Sequence, residues 1–247
     1  MAEIGRRRDR RLGPRVATIS GMGTLYLVRH GQASFGAADY DQLSELGMRQ
    51  CVALGRWFAG RGIVFDGVLR GTMRRHAQSL DGITTGCAEA RSTLPAALEW
   101  PGLNEYDSEA LIRTVHTGPL AKPDSPEVDR AHFRLLREAL IRWAAGQSQP
   151  EGMPSWVDFV AGVKGALDHV RQSHTGHVLL VSSGGPIATA VSQVLGSGAE
   201  AAIELNLRIR NSALTEFSYT AKRCSLLSFN HLPHLDHPER RNWETYA

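Results

Sequence analysis

The 247-residue chain is 42% hydrophobic and 21% charged, which suits one large soluble α/β domain with room for a sizeable core and argues against a disordered or fibrous protein. Its formal charge of +3 sits at one end, where Arg6, Arg7, Arg8, Arg10, Arg11 and Arg15 face only Glu3 and Asp9, so the rest is nearly neutral. No apolar run approaches the roughly 18 residues needed to span a bilayer, and Cys51, Cys87 and Cys224 are too scattered for a disulfide framework or a zinc site.

Residues 1–22 are expected to be a disordered basic extension, with Met22 offering an alternative start immediately before the first strand. An arginine-rich tail can bind nucleic acid or anionic surfaces, but a short solvated extension is the expectation here. No nucleic-acid or membrane partner is expected. The N-terminus lacks the apolar segment of a secretory signal, and a reducing cytoplasm is the expected location.

From residue 24 the run Leu25-Tyr26-Leu27-Val28 reads as a buried strand that stops at Arg29-His30-Gly31. Ligands in open α/β sheets collect at the carboxyl ends of strands, where Arg29 and His30 would stand. A neutral imidazole can attack phosphorus, and an adjacent guanidinium can hold two phosphoryl oxygens. The tripeptide alone is equally readable as a solvated strand end.

The spacing then predicts a helix over 44–59 capped by Ser44, a strand over 65–69, a helix over 73–83 and a strand near 93–99. Prolines at 119, 123, 126 and 150 surround a helix predicted over 127–145, whose Leu135, Leu136, Leu140, Ile141 and Trp143 are expected to pack against the sheet. Further on come a helix over 155–173, a strand over 177–181 and a helix over 186–194 with Pro186 in its first turn. Runs over 213–219 and 225–229 suggest a closing hairpin. This alternation favours a largely parallel sheet.

Five segments in chain order resemble the histidine phosphatase superfamily, the phosphoglycerate mutase-like proteins. They are Arg29-His30-Gly31, the helix lead-in Asp41-Gln42-Leu43-Ser44-Glu45-Leu46-Gly47, the stretch Val68 to Ser79, Leu103-Asn104-Glu105-Tyr106, and Val178 to Gly185. The resemblance runs from about Gly23 to Asn230 and implies a three-layer α/β/α fold around a mostly parallel central sheet. Residues 23–247 would form one domain, with 106–154 as a cap-like insertion that selects substrate.

The resemblance implies that His30 is the nucleophile, forming a phosphohistidine. Arg29 and Arg75 would bind phosphate, and Glu105 would donate a proton to the leaving alcohol. Arg74 competes with Arg75 for its role, and Glu99, Asp107 and Glu109 compete with Glu105. No metal or organic cofactor is implied. The substrate would be a phosphorylated small molecule or a phosphoprotein, and capture of the phosphoryl group by a second alcohol would make the protein a phosphomutase. Its oligomeric state is not legible.

Two departures matter. The late strand and loop normally read Ser-His-Gly-Gly, whereas here the histidine position holds Ser183, followed by Gly184 and Gly185. A hydroxyl donates without charge, and losing a charge-assisted bond of about 1.5 to 3 kcal/mol implies a roughly ten-fold to hundred-fold slower reaction. Gly184 and Gly185 still permit backbone amides to approach phosphate. Gly36 stands where the family often has asparagine, with Ser34 nearby as a phosphate contact. Both departures favour a phosphatase over a housekeeping mutase and leave a weakly active or inactive phosphate-binding relative as the alternative. His76 reads as an ordinary helix histidine, although it is the nearest sequence neighbour able to supply a lost imidazole. His231, His234 and His237 read as a flexible tail, and His174 and His177 as structural.

Overall fold

Six strands form one sheet in the order β3-β2-β4-β1-β5-β6: Gly23–Arg29 (β1), Phe65–Arg70 (β2), Leu98–Glu99 (β3), His177–Ser182 (β4), Leu214–Tyr219 (β5) and Cys224–His231 (β6). A computed structural model of the chain describes residues 21–34, 41–118 and 126–246. The basic extension, apart from its last two residues, and Gly36 lie outside the described residues.

The four strands β3, β2, β4 and β1 run parallel, while β5 and β6 add the expected hairpin antiparallel to β1. The sheet is therefore mixed. Alternation along its inner strands supplies two apolar faces. Leu25, Leu27, Val178 and Leu180 point to one side, against Trp156–Ser173 (α5) and Gly184–Leu195 (α6). Tyr26, Val28, Leu179 and Val181 point to the other, against Glu45–Gly60 (α1) and Arg74–Glu89 (α2). The result is a three-layer α/β/α fold.

Several boundaries differ from the sequence reading. The third strand is only two residues, because the prolyl 3-10 turn Pro101–Leu103 follows almost at once and no strand among the described residues pairs with the preceding segment. Helix α2 continues past Ile83 through Thr84, Thr85 and Gly86, poor helix formers held by packing on α1. Helix α6 begins at Gly184 rather than Pro186, so both glycines belong to its first turn.

The insertion contributes Ser108–Arg113 (α3) and Pro126–Ala144 (α4). Its apolar residues do not pack on the sheet. Leu136, Leu140 and Trp143 instead close a separate core with Leu111, Ile112, Phe159 and Ile203, the last from Ala199–Asn206 (α7), while Ile141 is 37% exposed. The sequence showed an apolar helix face but not which layer it would meet.

The expected histidine tail is corrected at two positions, since His231 ends β6 in register with Leu214. His234 is fully buried, and its Nε2 lies 2.9 Å from Ser212 Oγ. No helix among the described residues is long and apolar enough to cross a membrane.

Candidate active site

The parallel strands end together at one rim, and the residues there are held mainly by backbone. β1 pairs with β4 in a register that sets Arg29 opposite Ser182. One residue further, the His30 amide donates to the Ser182 carbonyl at 2.8 Å, while the His30 carbonyl accepts from the Ser212 amide at 3.1 Å. His30 thus stands between β4 and the turn before β5. Ser212 has a φ of +55°, a left-handed conformation that is costly for serine and here delivers its amide to the histidine.

The His30 ring has a defined tautomer. Its Nδ1 lies 2.7 Å from the Gly31 carbonyl, which can only accept, so Nδ1 carries the proton and Nε2 presents its lone pair. Burial pulls the His30 pKa well below the usual histidine value, and Arg29, Arg75 and His76 add to this. The imidazole is neutral near pH 7.

Gly31 is fixed in turn. Its amide donates to Ser79 Oγ at 3.0 Å, and that hydroxyl donates to the Arg75 carbonyl at 2.7 Å, tying the loop after β1 to the first turn of α2. The loop passes so close to α1 that a Cβ on Gly31 would lie 2.4 Å from the Gly47 carbonyl oxygen, a space only glycine fits. Gln50 accepts from the Gln32 amide at 2.9 Å and donates to the Trp243 carbonyl and to Thr245 Oγ1.

Of the two competing cations, Arg75 is buried and Arg74 exposed. Arg75 Nη1 donates to Asp41 Oδ1 at 3.0 Å, and Asp41 also accepts from the Arg74 amide at 2.8 Å. Arg29 Nη1 donates to the Ile209 carbonyl. Both guanidinium groups act electrostatically on His30 and on Glu105, which brings these four residues into one site.

Glu105 follows the 3-10 turn, and its carboxylate accepts from the Gly185 amide at 3.1 and 3.2 Å, at the start of α6. Desolvation raises its pKa above the usual carboxylate value against the opposing pull of the Gly185 amide, Arg75 and Arg29. The competing acids are engaged elsewhere: Asp107 caps α3, Glu99 pairs with Arg70 at 2.5 Å, and Glu109 faces Arg113.

Ser183 is buried directly after β4, and Gly184 opens α6. The Ser183 hydroxyl does not cap that helix but lies 2.7 Å from His76 Nε2. His76 is fully buried, and its ring centroid is 6.0 Å from that of His30. The Ser34 amide donates to the Gln42 carbonyl at 2.7 Å, and the Ser34 hydroxyl has no hydrogen-bond partner among the described residues. Asp41, Ser79, Ile209 and Ser212 belong to this site without having been singled out in the sequence. Asp41 and Ser79 lie at the ends of segments that carry the family resemblance, but neither has a role in the sequence pattern; Ile209 and Ser212 lie in none of those segments.

Among the described residues no group of three or more His, Cys, Asp or Glu side chains could hold a metal ion. The arrangement offers a neutral imidazole with a free nitrogen, two buried cations and a protonatable carboxyl. Those are the parts required to transfer a phosphoryl group through nitrogen.

A family model described as the histidine phosphatase superfamily (branch 1) matches residues 25–232. A comparison with curated proteins found no match. Among solved structures, a protein described as mycobacterial hydrolase 2 superposes with a TM-score of 0.62 at 20% identity, covering 90% of this chain and 97% of that one. The phosphoserine phosphatase of Entamoeba histolytica in complex with 3-phosphoglyceric acid gives 0.61 at 17% identity, covering 86% and 99%. The mycobacterial glucosyl-3-phosphoglycerate phosphatase with inorganic phosphate gives 0.60 at 21% identity, covering 87% and 100%. At these identities the likeness is one of fold.

Proposed function

The chain belongs to the histidine phosphatase superfamily, branch 1, and from that membership we propose that it is a phosphomonoester hydrolase acting through a phosphohistidine on His30. The observation that carries the reading is the His30 ring, held neutral beside two buried guanidiniums with its Nδ1 proton committed to the Gly31 carbonyl.

The Nε2 lone pair attacks phosphorus as the bond to the leaving alcohol oxygen breaks. Arg29 and Arg75 offset charge on the non-bridging oxygens, and Glu105 in its protonated form gives its proton to the departing alkoxide. Water then attacks the phosphohistidine while the Glu105 carboxylate takes a proton from it, which restores the starting state. Ser183 and the amide of Gly184 supply uncharged donors to the phosphoryl group, and Ser34 is a further contact in the same role. Arg75 must exchange its Asp41 contact for phosphate oxygens, so Asp41 both orients the guanidinium and competes with the substrate.

Residues 106–154 roof this site within a single domain beginning near residue 23. The substrate is a phosphorylated small molecule or a phosphoprotein. Phosphoserine and 3-phosphoglycerate are the first compounds to screen, given the proteins of similar fold.

The decisive comparison is hydrolysis of an aryl phosphate by the wild-type chain and by His30→Ala, with chelator present. Turnover and an acid-labile phosphoenzyme are expected in the wild type, and both should vanish in the variant. Equal rates in the two proteins would overturn the reading. A second reading, a phosphate-binding relative with little turnover, is favoured by Ser183 alone; inorganic phosphate bound tightly by a protein that hydrolyses no ester would identify it.

A further inference from the structure

His76 is a fully buried imidazole whose single hydrogen-bond partner among the described residues is the hydroxyl of Ser183, at 2.7 Å, while its Nδ1 has none. A buried polar ring left half-satisfied is a standing cost to the fold, and an apolar side chain of that size would avoid it. The surroundings are shaped around the ring all the same. A Cβ on Gly71 would lie 2.2 Å from Nδ1, so the residue after β2 must be glycine for the imidazole to sit there.

The hydrogen-bond pattern fixes which way the proton points. A neutral imidazole has one N–H and one lone pair. Were Nδ1 to carry the proton, a buried N–H would be orphaned, which is rarer in folded proteins than an unfilled acceptor. Nε2 therefore carries it and donates to Ser183 Oγ. The Ser183 hydroxyl has no other partner among the described residues and makes no cap to α6, so its own proton is free to donate. Ser183 stands alongside the nucleophile, because the His30 amide donates to the carbonyl of the preceding Ser182, and the two imidazole centroids are 6.0 Å apart.

We infer that His76 is a positioning residue which, by donating to Ser183 Oγ, turns the serine proton toward the phosphoryl group in transit on His30. This rests on the phosphatase reading above. It assigns to two residues from different elements, one on α2 and one ahead of α6, the delivery of an uncharged donor to the site. The pair supplies direction where Arg29 and Arg75 supply charge.

Two conservative substitutions separate this role from simple core filling. Glutamine can set its amide nitrogen near the place of Nε2, whereas the shorter asparagine cannot reach Ser183. The single-turnover rate of His30 phosphorylation by an aryl phosphate, the KM for that ester and the melting temperature are measured for His76→Gln, His76→Asn, Ser183→Ala and the His76→Asn/Ser183→Ala double variant. The expected result is a phosphorylation rate about ten-fold lower in His76→Asn and in Ser183→Ala, with KM within about three-fold of the wild type. His76→Gln should recover most of the rate, and the double variant should be no slower than Ser183→Ala alone.

Equal rates in the Gln and Asn variants, or losses that multiply in the double variant, would overturn the inference. The two readings fail separately. If His30→Ala keeps its turnover, the phosphatase reading falls; if that variant is dead while Gln and Asn behave alike, only the role of His76 falls.

Discussion

At the scale of single residues the proposed phosphohistidine mechanism sets opposing protonation demands, and these fix a pH profile. His30 must be neutral to attack, and its pKa is pulled well below 6.5 by burial and the neighbouring cations. Glu105 must be protonated to assist the leaving group, and desolvation pushes its pKa above 4.5. Activity thus falls on the acid side as His30 gains its proton and on the alkaline side as Glu105 loses its own. The kcat/KM profile is expected to peak on the acid side of neutrality. Glu105→Gln removes the alkaline limb and should lower kcat on an alkyl phosphate by about 10² to 10⁴-fold, and much less on an aryl phosphate, whose leaving group needs little protonation. Steady-state rates on both esters across pH check this. Arg29 and His30 stand out in the sequence because they end an apolar strand, whereas Glu105 is singled out by the resemblance of its segment alone. Asp41, the Ile209 carbonyl and Ser212 do not stand out, since only tertiary packing brings them to the cations and the histidine.

At the scale of elements, helices α1 and α2 approach so closely that the helix-propensity rule reverses. A Cβ on Gly86 would lie 2.1 Å from the Val52 carbonyl oxygen, and one on Gly55 would lie 2.1 Å from that of Ile83. Alanine in a helix interior gains about 1 kcal/mol over glycine, whereas forcing extra volume into a packed contact costs about 1 to 3 kcal/mol. Here the obstacle is backbone, which cannot swing aside, so the steric term prevails. Gly86→Ala is expected to lower stability by about 1 to 2 kcal/mol in urea titration, while an alanine at the open Gly60 position should not. The same contact explains the extension of α2 beyond its predicted end, because local propensity argued for a stop where α1 holds the helix together. The insertion shows the converse. Its apolar face was readable from spacing, but two of the helices that α4 meets, α3 and α7, are short and stand out by no pattern of their own, and α7 lies well away in sequence.

At the scale of the whole molecule, the protein encloses imidazoles it must keep uncharged. Burial lowers both His76 and His234 from 6.5 to about 3, with Arg75 acting further on the first and Arg240 on the second. An unfolded histidine takes up its proton near pH 6.5. The neutral, folded form is therefore favoured fully above that value, and the advantage is lost progressively as pH falls toward 3. Urea stability should decline steadily over this window, with a shallower slope in His234→Gln, whose unfolded chain binds one proton fewer. A slope unchanged by that substitution would contradict the assignment. Alternating strands and helices pointed to a largely parallel sheet and the family resemblance implied three layers, but the residue pattern did not give the strand order, because period-two patterns state which face is buried and not which strand lies next to which.

The strand order bears on how the molecule comes into being. β4 lies between β1 and β2, registering His177 against both Thr24 and Phe65, so these two earlier strands share no ladder and meet through side chains such as the Tyr26 and Phe65 rings, 5.7 Å apart. β1, which carries His30, is synthesised long before its neighbour β4, and β1 and β2 must each wait with an open edge for that late segment. That segment ends in Ser182, which seats His30, and continues into Ser183 and Gly185, which meet His76 and Glu105. Docking of that one late segment therefore joins β1 to β2 and sets the contacts of His30, His76 and Glu105 together, before β5 and β6 complete the sheet.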